Sequence, residues 1–261
     1  MKSSIFKLDK MTVLITGATG YLGKEMCLGL GYAGAHVLVN SRDSAKANKL
    51  VAELHELEIE ATAAVFDVSD ETEVEAFFSS YNGELSVIVN NAYNGIGGTI
   101  EHSKSSDFDS AYFISVTSAN NLFQRSLPLL RKSVIKHGYS SVINIASMYG
   151  CVSPNLELYA TPQGSNPPFY GTAKAALIQW SKYGACEFGK EGIRFNSISP
   201  GPFPVKEKNS QEFLEQLAVR VPMARVGEAH ELRGPVVFLA SQASSYVNGA
   251  NIHLDGGWTA W

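Results

Sequence analysis

Tyr170 and Lys174 stand four residues apart in "FYGTAK", directly after the irregular run "YATPQGSNPP". If a helix begins near Tyr170, a phenol and an ammonium share one of its faces. One reading of that spacing is ordinary, a solvated lysine and a half-buried packing tyrosine. The other is chemical: a phenol beside a cation can exchange a proton with a reacting oxygen, because the positive charge favours the phenolate. Two residues alone do not choose between them. A second feature is "TGATGYLGKEMCLGL", where Gly17, Gly20 and Gly23 sit three apart as an apolar run gives way to a helical stretch. Glycine lets backbone approach a ligand, and a helix N-terminus offers unpaired N–H groups to a pyrophosphate. Gly17, Thr19, Gly20, Tyr21, Leu22 and Gly23 therefore form a candidate dinucleotide cradle.

These residues need a frame, and the hydrophobic period supplies one. "MTVLIT", "AHVLVN", "TAAVFD", "LSVIVN", "SSVINIA", "GIRFNSIS" and "ANIHLD" read as seven strands, most of them apolar throughout. Such strands suit a parallel sheet covered on both faces. Helical stretches lie between them at 24–34, 45–57, 71–80, 108–137, 170–188 and 229–241. The alternation predicts a doubly wound α/β sheet of seven parallel strands in a single domain spanning 1–261. The least regular segments, 151–168 and roughly 200–225, are the expected substrate loops, because ligands bind beyond the carboxyl ends of the strands in such sheets.

The second strand ends in "VNSRD", with Asn40 or Ser41 where an NAD-binding fold usually carries an acid, followed by Arg42. A guanidinium favours a 2′-phosphate, so NADP(H) is expected ahead of NAD(H), with Ser41 and Arg42 as contacts. In "FDVSD", Asp67 and Val68 could hold an adenine by one hydrogen bond and one apolar contact; alternatively Asp67 or Ser69 caps the following helix.

Composition limits the partners. With 45% hydrophobic residues a buried core is assured, and a formal net charge of -4 without like-charge runs gives no footprint for nucleic acid or a membrane surface. Cys27, Cys151 and Cys186 lack metal-like spacing, so no metal is expected; each reads as a small core residue in a reducing, cytoplasmic setting. "MKSSIFKLDK" alternates apolar and charged residues, and no run approaches the roughly 18 apolar residues of a membrane span. The helices at 108–137 and 170–188 carry Leu122, Phe123, Leu127, Leu177, Trp180 and Phe188 beyond one core-facing stripe, which predicts a dimer or tetramer built on them.

In order along the chain, "TGATGYLG", "FDVSD", "NNAY", "INIAS", "YGTAK", "IRFNSISPG" and "LDGGW" resemble the short-chain dehydrogenase/reductase family. The resemblance covers nearly the whole sequence. It implies a Rossmann-type domain, a nicotinamide cofactor, a small-molecule alcohol or carbonyl substrate, and a homo-oligomer. It also implies roles: Tyr170 as general acid/base, Lys174 as its partner, Ser147 holding the substrate oxygen, Asn90, Asn91 and Ala92 lining the cofactor trough, and Pro200 and Gly201 shaping the nicotinamide side. The resemblance thus favours the chemical reading of Tyr170 and Lys174. Two other functions share these motifs, a non-catalytic dinucleotide sensor and a nucleotide-sugar epimerase or dehydratase.

Four positions depart from the family's compact branch. The glycines follow the spacing of the extended branch, Tyr93 stands where glycine is usual, Ser115 aligns with the helix asparagine of the proton relay, and Val205 replaces a threonine. In addition "CVSPNLELYATPQGSNPP" makes the Ser147-to-Tyr170 segment about ten residues longer than usual, where Tyr159, Pro167, Pro168 and Phe169 would enlarge the pocket wall. A longer loop here resembles oxidoreductases of bacterial surface-sugar pathways and suggests a sugar-related substrate.

Overall fold

Strands β1 (Thr12–Ile15), β2 (His36–Ser41), β3 (Ala61–Val65), β4 (Val87–Asn90), β5 (Ser140–Ile145), β6 (Ile193–Pro200) and β7 (Asn251–Leu254) form one parallel sheet in the order β3-β2-β1-β4-β5-β6-β7. A computed structural model describes residues 5–261; the first four residues of the amino-terminal stretch lie outside it. Each predicted strand is present within one or two residues of its expected limits.

The apolar runs are continuous because successive side chains enter two different cores. Val13, Ile15, Val37, Val39, Val87 and Val89 face one side, where they pack with Met26 and Leu30 of α1 (Tyr21–Tyr32), Leu50 and Leu54 of α2 (Ser44–Glu56), and Val236 and Leu239 further on. Leu14, Leu38, Ile88 and Val142 face the other, against Val74 of α3 (Glu71–Ser80) and Leu122, Phe123 and Leu130. A period of two with both faces covered leaves no solvent side to the central strands.

The long helix expected over 108–137 is three pieces on one line: α4 (Ser105–Tyr112), a single π-helical turn (Phe113–Thr117) and α5 (Ser118–His137), which Gly138 ends in the left-handed conformation at φ 84°. After β5 the chain crosses 151–168 to α6 (Pro168–Phe188), and β6 leads to α7 (Gln211–Val219) and α8 (Arg233–Ala240). Helix α7 falls inside a segment expected to be loop.

Two sequence expectations change here. Leu122, Phe123 and Leu177 are not surplus surface, since each is at most 4% exposed. Leu127, Trp180 and Phe188 pack against the same aromatic core around Phe195. α5 and α6 are apolar on more than one stripe because they bury sides against both the sheet and each other. Of the cysteines only Cys27 is a core residue; Cys151 and Cys186 are exposed free thiols. No helix among the described residues is long and apolar enough to cross a membrane.

The sheet order reverses between β1 and β4: the chain builds outward to β3, then returns to the other side of β1. At such a switch point the loops leaving the two strands diverge to opposite faces and open a crevice beyond their carboxyl ends.

Candidate active site

The crevice is held open by one cluster of hydrogen bonds. Asn91 and Ala92, just past β4, donate backbone N–H groups to Thr16 Oγ1 at 2.9 and 3.0 Å, and Asn91 Nδ2 donates to the carbonyls of Thr16 and Gly17 at 3.0 and 3.1 Å. Gly17 has φ +61°, and a Cβ there would lie 3.0 Å from Ala92 Cα. A Cβ on Gly23 would fall 2.3 Å from the Gly17 carbonyl oxygen. Both glycines are thus required by close backbone approach. Gly20 caps α1 without a side-chain bond, and no acid occupies the first turn, so the helix N-terminus keeps free N–H donors and an unopposed dipole. The cradle fits a pyrophosphate.

From it a groove of about 490 Å³ runs along the sheet edge. All six expected residues of the glycine turn line it, as do Ser41, Arg42, Asp67, Val68, Asn91 and Ala92. Asp43 lines the groove too, and its carboxylate caps α2 by accepting from Lys46 N at 3.1 Å, a hydrogen bond that holds its pKa below the usual range. Lys46, unremarked in the sequence, also lines the groove, so two cations flank its outer end. Its signal was available, one helical turn after Arg42 at a helix start. Asp67 Oδ2 pairs with Arg42 at 3.6 Å, while its Oδ1 accepts from Ser69 N and Oγ. Asp70, rather than Asp67 or Ser69, caps α3.

Asn90, Pro200 and Gly201 lie outside that groove lining. Asn90 Nδ2 donates to Asn144 Oδ1 at 2.8 Å, and Asn144 Nδ2 to Ser181 Oγ at 2.8 Å, a buried chain fastening β4 to β5 and α6. Gly201 packs against Asp255, where an added Cβ would come within 2.6 Å of its Cα. Val205 sits at the start of a short turn with its carbonyl accepting from Asn209. Tyr21 Oη, from the cradle, donates to the Pro204 carbonyl at 3.4 Å and joins the loop after β6 to the groove.

Ser147, Tyr170 and Lys174 also lie outside that lining and adjoin it through Tyr93, whose ring lines the groove and meets the Tyr170 ring edge-on with centroids 4.8 Å apart. Ser147 ends the extended backbone after β5 and accepts from Tyr149 N at 3.1 Å, which leaves its hydroxyl proton free to donate. Helix α6 brings Tyr170 beside it. Burial pushes the Tyr170 phenol up, and a hydrogen bond with Ser147 works in the opposite sense. The expected depression by Lys174 is not the governing influence in the protein itself. Lys174 is 3% exposed, and its Nζ donates to the Ile145 carbonyl at 2.7 Å. Burial brings its pKa down to about 8.

Ser115 lies in the π-helical turn and, with Ser118, presents a buried hydroxyl without a protein partner. Both line a cavity of about 10 Å³ together with Lys174, Asn90 and Thr16. That volume suits the centre of one water molecule among several polar neighbours. The π turn, which the sequence pattern does not anticipate, carries Ser115 into the lining of the cavity it shares with Lys174; such turns often mark functional positions.

The long segment before α6 is anchored at both ends. Ser165 Oγ donates to the Gly98 carbonyl at 2.9 Å and Gly98 N to the Ser165 carbonyl at 3.1 Å. Tyr159 packs with Phe213 of α7 and with Trp258, and the Tyr149 and Tyr159 hydroxyls are 3.2 Å apart. Phe169 is not pocket wall, since it is buried against Ala111 and Ala173 beneath Tyr93.

A doubly wound sheet with a glycine cradle at its switch point and a serine, tyrosine and buried lysine beside the groove, behind Tyr93, defines a class of dinucleotide-dependent oxidoreductases. A family model described as enoyl-(acyl carrier protein) reductase matches residues 17–259. The chain is 32% identical to a tropinone reductase homolog of Arabidopsis thaliana, with 97% of this chain and 91% of that protein covered. Among solved structures it resembles a gluconate 5-dehydrogenase from Burkholderia cenocepacia in complex with NADP and tartrate, with TM-score 0.85, 28% identity and 98% of each chain covered. A 7α-hydroxysteroid dehydrogenase complexed with NADH and 7-oxo glycochenodeoxycholic acid matches with the same score, identity and coverage. The chain belongs to the short-chain dehydrogenase/reductase family and is an oxidoreductase of that type.

The burial of Lys174 has a stability consequence with a definite sign. A lysine whose pKa falls on folding costs stability below the folded value, about pH 8, and that cost is relieved as pH rises toward the ordinary value near 10.5. Lys174→Met, which fills the same space without charge, should raise stability at pH 7 by about 1–3 kcal/mol, with a gain that shrinks toward pH 10. Thermal melts across pH check this, and a lower melting temperature for Lys174→Met at pH 7 would refute it.

Proposed function

We propose that the protein is an NADP(H)-dependent oxidoreductase that interconverts a secondary alcohol and a carbonyl on a hydroxylated, sugar-related substrate. The observation that carries the reading is the gathering of Ser147, Tyr170 and the buried Lys174 behind Tyr93, whose ring lines the groove that also holds Arg42 and Lys46. The nicotinamide, when bound, supplies or accepts the hydride at the substrate carbon. Tyr170 Oη gives a proton to the carbonyl oxygen in reduction and takes it back in oxidation. Ser147, its oxygen already engaged by Tyr149 N, donates its hydroxyl proton to the same oxygen, where charge grows. Lys174 has one acceptor at Ile145 and two further N–H groups for ribose hydroxyls and for the small cavity. A water in that cavity, held by Ser115 and Ser118, would return the proton to Tyr170 through Lys174.

Support for the phosphate preference is local. Arg42 and Lys46 both line the groove, and Asp43, which lines it beside them, spends one carboxylate oxygen on capping α2. The NAD(H) alternative would need a carboxylate at that end, and Asp67 is turned to Arg42 and Ser69. The hydroxylated substrate is supported by the adjacent Tyr149 and Tyr159 hydroxyls, and by the dehydrogenase neighbour that acts on gluconate. The reading includes a homo-oligomer; with Leu122, Phe123 and Leu177 interior, the large apolar side chains exposed on these helices are Phe108, Tyr112, Phe113, Ile135 and Tyr183. Light scattering should give a dimer or tetramer at micromolar concentration, and a monomer would remove that part.

Arg42→Ala and Lys46→Ala should each weaken NADPH by roughly five- to tenfold, modest because both side chains are exposed, and leave NADH unchanged. Equal loss for both cofactors in titrations of intrinsic fluorescence would overturn the preference. Tyr170→Phe should lower turnover by about a hundredfold to ten-thousandfold with cofactor affinity retained. Wild-type turnover in Tyr170→Phe would end the proton-transfer assignment. Tight NADPH binding with no turnover on any carbonyl in the native protein would favour a dinucleotide sensor instead.

A further inference from the structure

Tyr93 is the large side chain between the dinucleotide groove and Tyr170. Its ring meets the Tyr170 ring edge-on, with centroids 4.8 Å apart and planes at 70°. Beneath, it rests on Ala111, Phe169 and Ala173. Gly95 makes room for it, since a Cβ there would fall 2.7 Å from Tyr93 Cε1 and Oη. The ring is therefore fixed on three sides. Lys174 Nζ lies over both rings, 5.3 Å from the Tyr93 centroid and 5.6 Å from that of Tyr170.

We propose that the Tyr93 ring is a positioning element for Lys174: with the Tyr170 ring it boxes the buried ammonium and keeps it charged where an aliphatic wall would not. Both distances lie within the roughly 6 Å over which a ring face attracts a cation, and the attraction grows when water is excluded. The need is visible around the lysine. Ile145 gives it one carbonyl from β5, and Thr16, Asn90, Ser115 and Ser118, which share its cavity, carry no charge. The titratable groups facing it are Tyr93 and Tyr170 alone among the described residues, with Tyr149 beyond Tyr170. Burial holds the Tyr93 phenol neutral, with its pKa pushed up to about 12, and its hydroxyl is buried without a partner. The working part is the ring, and the hydroxyl is dispensable. A discharged Lys174 could neither steady a Tyr170 phenolate nor pass on a proton, so the ring would widen the pH range in which the site works.

The test titrates Lys174 directly in the full-length protein labelled at the lysine ε-carbon, its resonance identified by its loss in Lys174→Met. Tyr93→Phe should keep the native midpoint. Tyr93→Leu and Tyr93→Met, which fill the space without a ring face, should each lower it by about half a unit to one unit. Either aliphatic variant suffices if the other fails to fold. An unchanged midpoint in them overturns the proposal, and so does a raised one, which would mean that the ring only kept water out. A fall in Tyr93→Phe equal to that in Tyr93→Leu also overturns it. The inference rests on the oxidoreductase reading for one further expectation, that the alkaline limb of kcat/KM for carbonyl reduction moves in parallel. Because the titration needs no substrate, a native protein without turnover would count against that reading alone.

Discussion

The Thr16–Asn91 junction is the constraint from which the rest of the site follows. Two strands that adjoin in the sheet but lie far apart in sequence must send their loops in opposite directions, and the backbone groups left behind need partners. Thr16 Oγ1 accepts from two N–H groups of the β4 loop, and the Asn91 amide answers to two carbonyls of the β1 loop. This lock sets Gly17 against Ala92, so the turn can carry no side chain there. It also fixes where Tyr93 leaves the strand. The cradle and the aromatic wall over Lys174 are thus two ends of one hydrogen-bonded joint.

A second polar chain sets helix α6. Asn90, Asn144 and Ser181 run in sequence from β4 through β5 to α6, all buried and each satisfied by the next. A satisfied buried network specifies one register, because sliding α6 would leave amides unpaired at a cost of about 1–3 kcal/mol each. Lys174 lies on the same helix as Ser181, about two turns earlier, and reaches the Ile145 carbonyl at the end of β5. Tyr170 and Ser147 are brought together by the same docking. An asparagine that the family resemblance assigns to the cofactor trough thereby contributes by holding the frame.

The fold was legible because its signals are local and redundant. Seven apolar runs, each near five residues long and separated by helical periods, admit few arrangements other than a covered parallel sheet. The glycine turn, Tyr170 and Lys174 were legible for a similar reason, since spacing alone puts them at a strand end and on one helix face. What was missed depends on tertiary geometry or on weak local signals. Helix α7 had a readable start, Ser210 accepting from Phe213 N, but sat in a segment rich in proline and glycine upstream. The π turn leaves no mark in "FISVT", whose residues suit an ordinary helix. The interior placement of Leu122, Phe123 and Leu177 could not be told from an oligomer surface, because a helix that packs on both a sheet and a neighbour has the same wide apolar arc.

Where local consistency fails, part of the failure gathers near Lys174. Of the seven buried side-chain atoms without a hydrogen-bond partner among the described residues, those of Ser115 and Ser118 line the small cavity beside Lys174 and that of Tyr93 belongs to the ring under its Nζ, whereas those of Ser86, His137, Asn166 and Arg194 lie elsewhere. The lysine itself is a buried cation held by a carbonyl and two ring faces and by no carboxylate among the described residues. A protein selected only for stability would replace such groups with hydrocarbon, since each unpaired hydroxyl and the buried charge weaken the fold. The gathering of three such hydroxyls near Lys174 suits a site arranged for moving protons. A hydroxyl with a free lone pair and an ammonium near neutrality can each change partners during a reaction, which a saturated network cannot do.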